Sequence, residues 1–139
     1  MTPHQAYRRN AQSGWTRIEM LLAIYEGTIA ALDDGLDSLN RNQKSEYPAR
    51  QLRVSQLCLL LISGIDPVPP EEGSNLRELY VYCLDQISQP DVNTWTNARK
   101  VLVTLREGFQ GIREQGIQLE AEGAITPLTS STSHTLLHV

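Results

Sequence analysis

The sequence is poor in the residues from which most catalytic and metal sites are built. Histidine occurs three times in 139 residues, as His4, His134 and His138, all in the terminal segments. Cysteine occurs twice, as Cys58 and Cys83, each inside an apolar stretch and without a Cys-x-x-Cys partner. Zinc and iron–sulfur sites need grouped thiolates and imidazoles, so this usage reads as two reduced core thiols. The chain has no glycine-rich phosphate loop, no Gly-x-Ser-x-Gly turn and no Glu-x-x-His pair of the kind that builds di-iron bundles. No catalytic residue, metal or cofactor is expected, and hence no enzymatic activity.

Two further scarcities narrow the partners. Lysine and arginine total 12 against 16 acidic residues, a net charge of −4, with no basic cluster to neutralise phosphates, so no nucleic-acid binding is expected. The longest apolar run, Leu57 to Ile62, is far short of the roughly 20 residues that cross a bilayer, so no membrane insertion is expected. The first ten residues lack the apolar stretch of a secretory signal, which points to a cytoplasmic protein.

What the chain does have is apolar residues gathered into four segments with three-four spacing. Thr16 and Glu19 have the spacing of a capping box, and behind them Ile18, Leu22, Tyr25, Ile29, Leu32, Leu36 and Leu39 form one stripe, predicting a helix over 16–41. Pro48 opens a second helix over 48–64, its middle apolar nearly all round. The Pro-rich stretch 66–73 breaks the chain before a third helix over 74–88, built on Leu76, Leu79, Tyr80, Cys83, Leu84 and Ile87. A fourth starts near Asp91 or Thr94 and repeats Trp95, Ala98, Leu102, Leu105, Phe109 and Ile112 to about 119, with Gly108, Gly111 and Gly116 weakening its later turns. The expected fold is all-α: an antiparallel bundle of four main helices over 16–120. A short N-terminal arm, 1–15, precedes it, and a Ser/Thr-rich tail, 121–139, is predicted to be disordered and flexible.

The stripes leave apolar residues over. Leu21 and Ile24 make a second short row on the first helix, Leu59 and Ile62 on the second, and Val101 and Val103 flank the seam of the fourth. Such residues either widen an ordinary core face or, if exposed together, line a groove for an apolar partner helix.

Several pieces in order resemble the FliS family of flagellar secretion chaperones. Ala6-Tyr7-Arg-Arg-Asn10 is similar to the family's tyrosine-containing arm. Thr16-Arg-Ile-Glu-Met-Leu-Leu-Ala-Ile-Tyr-Glu-Gly-Thr-Ile29 is similar to its capped apolar run ending in Leu-Tyr-Asp-Gly-Ala-Ile. Glu72-Gly73-Ser-Asn75-Leu76-Arg-Glu-Leu79-Tyr80-Val-Tyr82 and Val101-Leu102-x-x-Leu105-Arg106-Glu107 resemble its third and closing helices. The departures are Arg17 where the family often has Pro, Ile24 and Glu26 for Leu and Asp, and Gly108-Phe109 where Ala-Trp is usual.

The resemblance implies a cytosolic chaperone that binds the disordered C-terminal segment of flagellin, prevents its premature polymerisation and helps deliver it to the flagellar secretion apparatus. The expected groove residues are Leu21, Ile24, Leu59, Ile62, Val101 and Val103, with Tyr7 as a lid over the groove in the free state. A contact with the flagellar export gate and a weak homodimer stay open. The alternative reading is a self-associating helical bundle acting as a structural or adaptor protein.

Overall fold

The computed structural model describes residues 15–64 and 70–123. The arm carrying Tyr7 and nearly all of the tail lie outside the described residues, so the structure bears on neither. Within them the chain forms five α-helices and one short 3-10 turn: α1 (Arg17–Asn40), the turn Lys44–Glu46, α2 (Tyr47–Ser63), α3 (Pro70–Gln86), α4 (Val92–Gly111) and α5 (Arg113–Ala121). The four long helices pack antiparallel, each sequence neighbour beside the next and α4 closing the ring against α1.

The start of α1 follows directly from its sequence. Thr16 Oγ1 accepts from the Glu19 amide at 3.3 Å while Glu19 Oε1 accepts from the Thr16 amide at 3.1 Å, so two of the helix's orphan donors are satisfied reciprocally. Asp91 rather than Thr94 caps α4, accepting from the Asn93 amide at 2.7 Å.

Two boundaries differ from those read in the sequence. α3 begins at Pro70, four residues before the predicted 74: the last proline of the run stands at the first helical position, where a missing N–H costs no hydrogen bond and φ is already helical. The fourth helix is not continuous to 119. It ends at Gly111, Ile112 leaves helical geometry at φ −112°, ψ 15°, and the chain resumes as α5. Gly111 and Gly108 supply no packing to hold that turn, and a Cβ at either would meet nothing within 4 Å.

The core lies along the bundle axis. Tyr25, Ile29 and Leu32 of α1, Val54, Leu57, Cys58 and Leu61 of α2, Tyr80, Cys83 and Ile87 of α3, and Trp95, Ala98 and Leu102 of α4 are all buried. Tyr25 and Tyr80 share a hydrogen bond of 2.5 Å between their hydroxyls, and Phe109 stacks on Tyr25 with centroids 5.8 Å apart. At one end Tyr47 OH donates to the Ile87 carbonyl at 2.8 Å and its ring meets Trp95 edge-on. Both cysteines are free and fully buried; burial pushes each thiol up to about 12, which suits inert packing groups.

Candidate partner-binding surface

The two sides of the bundle differ in what they present. Where α1 meets α4 and the start of α5, Glu19 pairs with Arg113 of α5, Glu26 with Arg106 of α4 and Asp33 with Arg99 of α4, at 3.2, 3.3 and 2.6 Å. The carboxylates recur every seventh residue on α1 and the arginines every seventh residue in the opposite direction, a spacing of two helical turns that continues from α4 across the break at Ile112 to the first residue of α5. This edge is closed by charge. Thr16, and less strongly Arg113, hold the Glu19 carboxyl below its ordinary value.

The α2–α3 side is different. Helix α2 carries Arg50 and Arg53 but no acidic residue. Leu52 and Leu59, two turns apart on its outward face, are 58% and 56% exposed. On the adjacent α3, Leu79, Val81 and Tyr82 are also exposed. Large apolar side chains usually face inward, so five exposed ones on two neighbouring helices mark apolar area that gains by being covered, Leu52 with Leu59 on one face of α2 and Leu79 with Tyr82 on one face of α3.

The six groove residues expected from the sequence do not come together on that surface. Leu59 alone among them is exposed; Leu21, Ile24, Ile62, Val101 and Val103 are partly buried and pack against the core. Leu79, expected in the core stripe of the third helix, is exposed instead. Tyr25 and Tyr80 are core residues, as expected from their stripes. Leu52, Val81 and Tyr82 escaped sequence reasoning. Leu52 was legible: it stands seven residues before Leu59, on the same helical face. Val81 and Tyr82 sit among Leu79, Tyr80, Cys83 and Leu84, a run too uniformly apolar for periodicity to tell inside from outside.

The described residues contain no cluster of three or more His, Cys, Asp or Glu able to hold a metal ion, and no described helix is long and apolar enough to cross a membrane. A cavity of about 210 Å³ between α1 and α2 is lined by Ala31, Asp34, Ala49, Arg50 and Arg53 and lies on the surface. What α2 and α3 offer is exposed apolar area.

No curated protein and no solved structure matches the chain. A family model described as flagellar protein FliS matches residues 1–116, which span all four long helices, the ion-paired seam and the exposed α2–α3 face. The chain belongs to the FliS flagellar protein family, a family of non-enzymatic chaperones.

Proposed function

We propose that this protein is a cytoplasmic export chaperone for flagellin. On this reading it binds the disordered C-terminal segment of newly made flagellin and keeps it from polymerising until it reaches the secretion apparatus. Family membership supports the flagellin partner, and the observation that carries the binding mode is the exposed apolar set Leu52, Leu59, Leu79, Val81 and Tyr82 on α2 and α3. A flagellin terminus that packs as an amphipathic helix inside the filament has no partner for its apolar face in the monomer. The α2–α3 surface offers that face a substitute, and the ordering of the segment offsets much of the gross interaction energy. Tyr7, from the N-terminal arm, acts as a lid over the groove in the free protein. Leu21, Ile24, Ile62, Val101 and Val103 act beneath the groove more than within it, since they pack on the core and shape the helices that present it.

Titration calorimetry with flagellin, and with flagellin shortened at its C-terminus, tests this reading. Binding is expected for the full chain only, with Leu59→Asp weakening it. Binding that survives the truncation overturns the mode. A stable homodimer that excess flagellin does not dissociate would favour self-association instead.

A further inference from the structure

The first turns of α1 carry buried apolar residues outside the main core cluster. Ile18, Met20 and Leu22 are buried but do not belong to the cluster around Tyr25 and Trp95. What lies against Ile18 is α5, and α5 is held lightly. None of its nine residues is buried, and its N-cap, Ile112, offers no side chain to its free amides. Its attachments gather on the first turn of α1. Arg113 pairs with Glu19 at 3.2 Å, Glu120 Oε1 accepts from the Arg17 amide at 3.3 Å, and between them Gly116 lies so close to Ile18 that a Cβ would stand 2.9 Å from Ile18 Cδ1. A helix this short is marginal by itself, and an element with no buried side chain belongs to the part of a fold that opens first.

We propose that α5 is an occupant in cis of a helix-docking site on α1, centred on Ile18, and that the partner's C-terminal segment displaces it to gain another turn of contact. This rests on the chaperone reading above. The pattern of α5 itself describes the helix the site accepts: a small residue over Ile18, a basic residue three positions earlier beside Glu19, and a hydrogen-bond acceptor four positions later beside the Arg17 amide. The hinge is the non-helical Ile112 after Gly111. A cover in cis weakens the apparent affinity by the fraction of molecules in which it is open, so the partner binds more tightly once α5 is released.

Gly116→Pro in the full chain removes the bond from the Gly116 amide to the Ile112 carbonyl and breaks α5 in its interior while leaving the bundle core untouched. A double variant, Ile18→Cys with Gly116→Cys, locks α5 down when oxidised, since the two Cβ atoms lie about 3.2 Å apart and a small shift reaches disulfide spacing. The probe is the C-terminal segment of flagellin, followed by calorimetry, with hydrogen exchange reporting the amides of 113–121. We expect Gly116→Pro to lose protection in 113–121 and to bind at least threefold more tightly. The oxidised double variant should bind at least tenfold more weakly than the same variant reduced, a comparison in which the loss of the Ile18 side chain cancels. Unchanged or weaker binding by a folded Gly116→Pro overturns the proposal. Wild-type protein that binds no segment overturns the parent reading and this one with it, whereas wild-type binding without tightening in Gly116→Pro overturns this one alone.

Discussion

The indole of Trp95 on α4 occupies the place of a side chain that Gly35 on α1 does not have: a Cβ at Gly35 would lie 2.2 Å from Trp95 Cζ3. The same ring donates its Nε1–H to the Gln89 carbonyl at 2.9 Å and meets Tyr47 edge-on, with centroids 5.9 Å apart. One buried side chain thus joins α1, α2, α4 and the turn before α4.

Gly35→Ala is therefore expected to cost stability even though alanine is the better helix former. Overpacking of this kind costs about 1–3 kcal/mol, against a propensity gain of about 1 kcal/mol. Urea unfolding measures it. In the Gly35→Ala, Trp95→Phe double variant the smaller ring makes room, and the two losses should sum to more than the loss observed. Simple additivity would show that the contact does not govern the site.

Leu59→Asp and Ile24→Asp should separate binding from folding. Leu59 is 56% exposed, so its replacement should change stability by less than about 0.5 kcal/mol while weakening flagellin binding. Ile24 packs partly buried on the core, and a carboxylate there should lower the unfolding midpoint. Circular dichroism melts beside calorimetry decide between them; equal destabilisation by both would contradict the exposure of Leu59.

The ion pairs between α1 and α4 set register more than stability. Arg106→Glu places two carboxylates together at Glu26 and should cost up to about 1 kcal/mol, the range of exposed pairs. Adding Glu26→Arg restores opposite charges and should recover most of the loss. The difference should shrink as salt is raised.

Acid should act through Glu19. Its folded-state pKa lies below the ordinary 4.5, chiefly because the Thr16 hydroxyl and amide donate to it. Its stabilising contribution is therefore present above about pH 4.5 and is lost as pH falls through the depressed folded value. In Glu19→Gln, the acid limb of stability against pH should be shallower; an unchanged limb assigns the acid sensitivity elsewhere.

Base should act through the core thiols. Cys58 and Cys83 have an ordinary value of 9.0 and are pushed up to about 12 by burial, with Tyr80 likewise raised to about 12. These protonated groups leave stability intact below about pH 9, and it declines above that as the unfolded thiols ionise and the folded ones do not. Denaturant titrations at pH 8 and pH 10.5 measure the decline. Ellman's reagent should leave both thiols untouched in the native protein and label both in denaturant; rapid native labelling would contradict their burial.

Much of the fold was legible because the signals are local. The Thr16–Glu19 box, the stripe from Ile18 to Leu39 and the alternation from Trp95 to Phe109 each need only neighbours three or four residues apart, and helix geometry turns that spacing into a start, a face and a direction. The burial of Tyr25, Tyr80, Cys58 and Cys83 followed from their places on those stripes. The break at Ile112 was visible only as a weakness, since glycines lower the cost of bending without saying where a chain bends.

The candidate surface was far less legible. A surplus of apolar residues beside each stripe was readable, but which of them stay uncovered depends on how helices lean on one another. Ile24, Ile62 and Val101 are sheltered by neighbouring helices, while Leu79, Val81 and Tyr82 are not. The scarcities from which the sequence reading started, of histidine, grouped cysteine and basic clusters, already excluded whole classes of chemistry, because a site needs its reacting groups to be present at all. Where the remaining apolar area meets solvent was decided by tertiary packing, because exposure belongs to the assembled bundle and to no single helix.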